Sequence, residues 1–222
     1  MAIRRTSFAI DEWYHCYNRG VEKRTTFTTK DEYARFMQVL YLCNSNTALR
    51  RDDLPDTSDE FIFQISRGDT LVDIGVYCLM PNHFHLLLRE RTEGGISRFM
   101  HKVSTAYTMY FNIKHDRVGG LFIKPFRSKH ISKNLYFTYV AQYIHLNPLE
   151  IFEPSWKEGK VLDMSSLEKK LANYTYSSFS EYNGISRWEK TILEASAFDL
   201  IQSQTKPIKT LLEEAAEYYL GL

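Results

Sequence analysis

Cysteine is scarce in this sequence, and the few that occur lie far apart. The cysteines are Cys16, Cys43 and Cys78, and no two of them form a Cys-x-x-Cys pair. An odd number at such wide spacing predicts neither a disulfide framework nor a zinc knuckle. The cysteines therefore fit a protein that works in a reducing cytoplasm.

Long apolar runs are also missing. No stretch of the sequence approaches the roughly 20 consecutive apolar residues that a membrane-spanning helix needs. Arg4 and Arg5 lie near the start, but no apolar segment of the kind found in signal peptides follows them. From the sequence we expect a soluble protein without a membrane partner.

The sequence also lacks an excess of either positive or negative charge. The 222 residues include 28 Lys and Arg and 27 Asp and Glu, a formal net charge of +1, and 44% of them are hydrophobic. Such a composition is ordinary for a globular protein with a core. The length predicts one domain with an extension, or two small domains.

The cations are nevertheless concentrated between Gly94 and Tyr136, where Asp116 is the one acidic residue. The basic residues of this block are Arg98, Lys102, Lys114, Arg117, Lys124, Arg127, Lys129 and Lys133. A local basic block inside a neutral protein can attract phosphate. A solvated basic face is the alternative interpretation, and the count alone does not separate the two.

The pattern of apolar residues predicts the order strand, helix, strands, helix, strand, helix. Helices are predicted after Thr29, after Gly94-Gly95, and up to Asn147, where Pro148 stops the third. The β-prone runs are Trp13–Asn18, Phe61–Ser66, Leu71–Leu79, His83–Arg89 and Leu121–Ile131. This order predicts an α+β fold, an antiparallel sheet with helices on one face.

Composition divides the chain near residue 150. We predict a core over residues 1–150 and a mostly helical C-terminal extension over residues 151–222. Within the extension, Glu189–Leu222 is predicted to form two short helices that separate near Pro207. The polar segment Asn44–Glu60 is predicted to be an exposed loop.

The segment His83-Phe84-His85 places two imidazoles at alternate positions of a predicted strand. Alternate side chains of a strand share one face and lie roughly 7 Å apart, so the two rings could bind one metal ion. Phe84 would then point into the core. A His-x-His pair is a weak signal by itself, and two hydrogen-bonded strand histidines are the alternative.

Tyr143 and Asn147 lie four residues apart on the third predicted helix, and therefore on one face of it. A phenol has a pKa of about 10, and ionising it near neutral pH costs roughly 4 kcal/mol. A tyrosine nucleophile thus needs help, which a divalent cation can give. Asn147 could offer its amide oxygen to Mg²⁺ or Mn²⁺. Capping of the helix before Pro148 is its other role, and the two roles are compatible.

Two of these motifs together resemble a known family. The segments Tyr77–Leu87 and Tyr143–Pro148 are similar to the signature strand and the nucleophile helix of the single-tyrosine HUH, or IS200-like, transposases. Within that family they resemble the REP-associated tyrosine transposases. The segments Tyr14–Gly20 and Asn173–Gly184 agree, so the resemblance covers about residues 12–184.

The resemblance implies a ferredoxin-like core and an enzyme that cuts single-stranded DNA at a hairpin-marked site. The site would be a REP-like hairpin or the end of an insertion sequence, and the products would be a 5′-phosphotyrosine and a free 3′-hydroxyl. Carried onto this chain, the resemblance makes Tyr143 the nucleophile and His83, His85 and Asn147 the ligands of Mg²⁺ or Mn²⁺. The protein would act as a monomer or a homodimer.

Five residues of the basic block are predicted to contact DNA: Arg98, Lys102, Lys124, Arg127 and Lys129. The turn after Pro148 departs from the family pattern, because Leu149–Glu153 is bulky and acidic where the family usually has a small, basic stretch. Two alternatives stay open. One is a non-cutting DNA- or RNA-binding regulator on the same fold. The other is a metal-dependent phosphoesterase that uses His83 and His85 with an activated water.

Overall fold

One antiparallel sheet of four strands lies at the centre of the described chain. The computed structural model describes residues 7–132, 134–156, 163–203, 206–207 and 210–211. The strands are β1 (Trp13–Arg19), β2 (Val72–Met80), β3 (His83–Glu90) and β4 (Arg127–Ile131). They lie in the order β2-β3-β1-β4, and each neighbouring pair is antiparallel.

Helices account for most of the remaining regular structure. In chain order they are α1 (Lys30–Cys43), α2 (Asp59–Ile62), α3 (Gly95–Lys114), α4 (Asn134–Leu146), α5 (Leu149–Phe152), α6 (Met164–Ala172), α7 (Phe179–Tyr182) and α8 (Ala195–Ser203). Short 3-10 turns occupy Val21–Lys23, Arg51–Asp53 and Trp188–Ile192. In the ranges described, no helix combines the length and the hydropathy that crossing a membrane would require.

The hairpin between β2 and β3 turns at Pro81-Asn82, in the gap between the two predicted strands. Met80 pairs with His83 across the turn. Thr29 begins α1 with a capping box, in which Glu32 bonds back to the backbone of Thr29. These local signals depend only on neighbouring residues, and the structure confirms them.

Alternate residues of the strands pack into two separate cores. On the first face of the sheet, which carries Tyr77, Phe84 and Leu86, the packed helices are α1 and α3. On the second face, which carries Val76 and Leu87, the packed helices are α4 and α8.

The α+β fold is confirmed, but the prediction that helices cover one face is wrong. Both sets of alternate side chains in β2 are buried from Val72 to Met80, and apart from Asp73, which pairs with Arg89 and Arg91, they are predominantly apolar. A strand buried on both faces needs a layer on each side. The apolar residues Phe137, Val140 and Ile144 of α4 pack on the second face.

Residues from the predicted C-terminal extension help to build this second core. Tyr174, Tyr182 and Phe198 belong to it, and the Tyr182 hydroxyl donates to the Gly75 carbonyl at 2.7 Å. The outer edge of β2 is covered as well, because the Leu79 amide donates to the Tyr176 carbonyl at 2.9 Å. The domain boundary at residue 150 stays a prediction.

Three other local predictions differ from the structure. Phe61–Ser66 was predicted as a strand, but its first two residues complete the short helix α2, whose start is capped by the Ser58 hydroxyl. Of the predicted strand Leu121–Ile131, the part from Arg127 onward pairs with β1. The predicted helices in Glu189–Leu222 are represented by a 3-10 turn and α8; residues 204–205, 208–209 and 212–222 lie outside the described residues.

Candidate active site

His83 and His85 lie at the start of β3 and point to the second face of the sheet, below α4. Their ring centroids are 5.0 Å apart, and the rings are nearly perpendicular. His85 is buried, whereas His83 is half-buried at the rim. The alternation that the sequence predicts therefore places both imidazoles on one face, and Phe84 packs into the core of the other.

Each of the two histidines uses its Nδ1 atom in a hydrogen bond. His83 Nδ1 lies 2.6 Å from Asn82 Oδ1, and His85 Nδ1 lies 2.8 Å from Nε2 of His15. An amide oxygen can only accept, so His83 donates from Nδ1 and carries its lone pair on Nε2. Histidine ligands of metals are commonly oriented by such a second hydrogen bond.

His15 and Tyr17 of β1 complete the aromatic cluster, and neither was predicted from the sequence as a site residue. Tyr17 pairs with His85 in the strand register, and its ring lies 5.5 Å from the His85 ring. His15 stacks at 5.1 Å on the same ring. The available signal was the alternation of Trp13, His15 and Tyr17, which puts all three on one face of a strand.

Burial is the main influence on the protonation of His15. Loss of solvent around its ring, together with the positive charge of Lys129, lowers the pKa of His15 from 6.5 to about 4. The imidazole is therefore neutral at physiological pH. A neutral ring can accept a hydrogen bond at one nitrogen and donate at the other.

The Tyr143 side chain extends from α4 towards this cluster. Its ring centroid lies 6.3 Å from that of His85 and 6.1 Å from that of His15. The helix is fixed there because Val140 and Ile144 are buried against the sheet on either side of Tyr143 in the sequence. The structure thus brings together Tyr143 and His85, which are far apart in the chain.

A buried hydrogen bond anchors the same helix at its other side. His145 Nε2 lies 2.9 Å from the Ser178 hydroxyl, which itself accepts from the Tyr77 amide at 3.1 Å. Complete burial lowers the pKa of His145 to about 3. This histidine stays neutral and holds α4 against β2, and it points away from the cluster around His85.

Asn147 caps the C-terminal end of α4. Its amide nitrogen donates to the carbonyl of Tyr143 at 3.0 Å and to that of Ile144 at 3.1 Å. Among the described residues it makes no hydrogen bond to either His83 or His85. Both capping bonds use the nitrogen, so the amide oxygen is the atom that remains for a metal ion.

The donor set at this site suits a divalent ion that also binds oxygen. Within the described ranges, no group of three or more His, Cys, Asp or Glu residues is close enough to hold a metal. The protein would therefore offer two imidazoles, and an amide oxygen if Asn147 takes part. Mixed nitrogen and oxygen ligands fit Mn²⁺, and oxygen from a bound phosphate fits Mg²⁺ or Mn²⁺.

Two of the five predicted DNA contacts lie beside the site. Arg127 pairs with Tyr17 and Lys129 with His15 across β1 and β4. Cross-strand partners share a face, so both basic side chains project from the second face, and both are exposed. They border the aromatic cluster with positive charge.

The other three predicted DNA contacts lie elsewhere. Lys102 of α3 donates to the carbonyl oxygen of Ser45 at 2.7 Å, and Arg98 donates to the Thr92 hydroxyl at 2.8 Å. Both are on the helix that covers the first face. Lys124 is exposed and lines a groove between α3 and the segment before β4. The structure does not bring these three to the cluster.

One family model matches more than half of the chain. A family model described as "Transposase IS200 like" matches residues 21–147, a range that includes His83, His85, Tyr143 and Asn147. His15 and Tyr17 lie just before it. A search of curated proteins finds no match.

Solved structures show a likeness in fold. A REP-associated tyrosine transposase bound to a REP hairpin aligns with a TM-score of 0.51 and 14% sequence identity, covering 85% of this chain and 90% of that one. A bacterial tRNA(His) guanylyltransferase-like protein in complex with ATP aligns with a TM-score of 0.40 and 10% identity, covering 84% and 77%. The second likeness is too low to support an argument.

Proposed function

The chain belongs to the IS200-like transposase family, and from that premise we propose that it nicks single-stranded DNA with Tyr143 and transfers the cut strand. His83 and His85 would hold a divalent metal ion that assists the reaction. The observation that carries the proposal is the position of the Tyr143 ring, 6.3 Å from the His85 ring at the open end of the sheet. A nucleophile and two potential metal ligands lie within reach of one phosphodiester.

The proposed first step is a transesterification. The Tyr143 hydroxyl gives up its proton as its oxygen attacks a backbone phosphorus, and the bond from phosphorus to the 3′ oxygen breaks. The 5′ phosphate stays on the tyrosine, while the 3′ oxygen leaves and takes up a proton. Such covalent catalysis divides a difficult step into two easier ones.

The proposed second step is the reverse transesterification, in which the 5′ phosphate on Tyr143 is joined to a different 3′ end of DNA. An incoming 3′-hydroxyl loses its proton as it attacks the phosphotyrosine, the bond from phosphorus to the Tyr143 oxygen breaks, and that oxygen takes up a proton. The energy of the original phosphodiester is kept in the phosphotyrosine, so resealing needs no ATP. Mg²⁺ or Mn²⁺, when bound, would polarise the phosphodiester and stabilise charge in the transition state.

The residues around the site have separate tasks in this proposal. His83 and His85 hold the metal ion, with Asn147 as a third ligand through its amide oxygen. Arg127 and Lys129 bind the phosphate backbone beside the site, and Tyr17 offers an aromatic face to an unpaired base. Lys124, Arg98 and Lys102 stay candidates for contacts farther along the DNA.

The substrate that we propose is single-stranded DNA next to a hairpin. The support is the fold shared with a transposase whose structure contains a REP hairpin. A REP-like hairpin or the end of an insertion sequence would supply such DNA. Whether one chain or a homodimer acts on it is a further part of the proposal that needs its own measurement.

Covalent capture on a denaturing gel tests the proposal. The protein is mixed with Mn²⁺ and labelled single-stranded hairpin oligonucleotides that are taken from the DNA flanking its gene. We expect a protein–DNA adduct that disappears with Tyr143→Phe and with a chelator. Tyr139→Phe is the matched control, because Tyr139 lies one turn earlier on α4 and is exposed.

Three outcomes would contradict the proposal in different ways. Binding without any adduct would indicate a non-cutting regulator. Cleavage that forms no adduct and persists in Tyr143→Phe would indicate a phosphoesterase with an activated water. An adduct that persists in Tyr143→Phe would assign the nucleophile to another residue.

A further inference from the structure

His15 and His85 form a hydrogen bond between two rings that lie 70 residues apart in the sequence. His15 Nε2 is 2.8 Å from His85 Nδ1, and the two side chains are only 8% and 7% exposed. Water therefore competes weakly for either nitrogen. The bond crosses from β1 to β3, and the strand register of the sheet fixes both ends.

The chemistry of such a bond allows two arrangements. One nitrogen must carry the proton and the other the lone pair. If His85 donates from Nδ1, its lone pair lies on Nε2, where a metal ion can bind. If His15 donates instead, a neutral His85 carries its proton on Nε2 and offers no lone pair there. Only the first arrangement makes His85 a ligand.

The other histidine of the pair is already held in the required form. Asn82 Oδ1 accepts from His83 Nδ1 at 2.6 Å, which leaves the lone pair of His83 on Nε2. Two rings that present the same nitrogen from one face can converge on one ion. For His85, the acceptor that corresponds to Asn82 is His15.

We infer that His15 is a positioning residue that accepts a hydrogen bond from Nδ1 of His85 and so holds this ring in the tautomer and orientation of a metal ligand. The inference rests on the proposed function, because it concerns the same metal site. His15 does not itself bind the metal through Nε2, since that atom is used in the bond to His85.

The surroundings of His15 agree with this role and not with simple core packing. Its strand neighbours on the second face are Trp13 and Tyr17, and its cross-strand partners are Leu87 of β3 and Lys129 of β4. An apolar residue would fill such a position without the penalty of burying a polar ring. The imidazole is accommodated because it stacks on His85 at 5.1 Å and bonds to it.

The first experiment measures the binding of Mn²⁺ alone, without DNA, by calorimetry or electron paramagnetic resonance. His15→Phe keeps an aromatic ring but removes the acceptor, and we expect it to weaken Mn²⁺ affinity by about 10- to 100-fold, as is typical when the hydrogen-bond partner of a ligand is removed. His15→Gln keeps an acceptor and should restore part of the affinity. A purely structural role would not produce this difference between the two variants.

Two control variants accompany this measurement. His130→Gln removes an imidazole from β4 that bonds to Glu12 and lies on the first face, so Mn²⁺ affinity should not change. His83→Ala removes a proposed ligand and should abolish binding. Thermal unfolding of each variant separates a loss of folding from a loss of the site.

A second measurement needs neither metal nor folding-sensitive variants. Two-bond ¹⁵N–¹H spectra of the metal-free wild-type protein report which nitrogen of each histidine carries the proton. We expect His85 to be protonated at Nδ1, like His83. A proton on Nε2 of His85 would overturn the inference, because His15 would then be the donor.

The outcomes distinguish this inference from the proposed function. If His83→Ala loses Mn²⁺ while His15→Phe binds it like the wild type, the positioning role fails and the metal site stands. If neither the wild type nor any variant binds Mn²⁺, the metal site and the positioning role fail together. Weak binding by His15→Phe with partial recovery in His15→Gln supports the inference.

Discussion

The two faces of the sheet each bury a polar cluster, but the clusters are built differently. On the first face, Glu32 is fully buried and its carboxylate accepts hydrogen bonds from Thr28, Lys114 and His115. On the second face, the rings of His15 and Tyr17 stack on His85, and the Tyr143 ring lies edge-on to it at 6.3 Å.

The difference separates a structural cluster from a chemical one. The donors around Glu32 come from the C-terminal end of α3 and from the segment before α1, so the carboxylate connects these elements and is satisfied by them. The rings around His85 instead lie at the rim of the sheet, with exposed Arg127 and Lys129 beside them. A buried charge surrounded by donors stabilises a fold, while a cluster of imidazole and phenol rings that reaches the edge of the sheet can receive a substrate.

The largest expected effect comes from removing a ligand on the second face. His83→Ala should lower adduct formation by about 100-fold or more, because a metal ion contributes several kcal/mol to the transition state and each ~1.4 kcal/mol is a factor of ten. The free energy of unfolding should change little, since His83 is half-buried at the rim. Quantified adduct yields and urea unfolding measure the two quantities.

A histidine on the opposite side provides the control for this variant. His101 is exposed on α3, so His101→Ala should leave both adduct formation and unfolding unchanged. Equal adduct yields from His83→Ala and the wild type would show that the cluster on the second face is not the catalytic one.

The second effect concerns the first face. Glu32→Gln replaces a carboxylate that accepts several hydrogen bonds, and we expect the free energy of unfolding to fall by about 1–3 kcal/mol. Mn²⁺ affinity should not change, because α1 packs on the face away from His85. Urea unfolding and calorimetry test this pair of outcomes.

Glu60→Gln is the matched control, since Glu60 is exposed on α2. A loss of Mn²⁺ affinity in Glu32→Gln would mean that the two faces are coupled and that the clusters are not independent.

The third effect is a pH dependence of stability. Burial alone would raise the pKa of Glu32, but hydrogen bonds from Thr28, His115 and Lys114 outweigh it and lower the pKa from 4.5 to about 2. A lowered carboxyl pKa contributes stability above the unfolded value, and this contribution disappears as pH falls from 4.5 toward 2.

The free energy of unfolding, measured across that pH range in the wild type and in Glu32→Gln, shows whether the contribution of the carboxylate falls with pH as expected. The variant should lack this part of the acid sensitivity, so the difference between the two proteins should shrink as pH falls. A difference that stays constant from neutral pH to the acid end of the range would exclude the carboxylate as its cause.

The smallest effect is expected in DNA binding. Arg127→Ala with Lys129→Ala should weaken binding of single-stranded DNA and flatten its salt dependence, by about 0.7 in the logarithmic slope for each phosphate that is no longer neutralised. Arg98→Ala should have less effect, because Arg98 lies on α3 over the first face. Fluorescence anisotropy over a salt titration gives the slopes. If Arg98→Ala weakened binding as much as the double variant at Arg127 and Lys129, DNA would have to contact both faces of the sheet.

Several features could be predicted from the sequence because they depend on neighbouring residues. The alternation in His83-Phe84-His85 put both imidazoles on one face, and the breaks at Pro81 and Pro148 marked a turn and a helix end. The resemblance of Tyr77–Leu87 and Tyr143–Pro148 to one family agrees with the family match. The roles of the individual residues stay proposals until they are measured.

Two other features were not predicted, the first because a short apolar run is ambiguous and the second because it depends on contacts between distant residues. A short apolar run such as Phe61–Ser66 has no period that separates a strand from a helix. The Ser58 hydroxyl caps the start of α2, and this cap favours the helix. The second helical layer followed from packing of α4 and α8 on a strand that is apolar on both sides.

The sequence by itself determined the elements and the chemistry that they carry: an imidazole pair at period two on a strand, and a phenol one turn before an amide on a helix. Only the tertiary structure decided which residues share a site. His15 meets His85 through the register of β1 against β3, and Tyr143 meets both through the packing of Val140 and Ile144. Local periodicity fixes the side of an element on which a residue lies, but long-range pairing fixes what it faces.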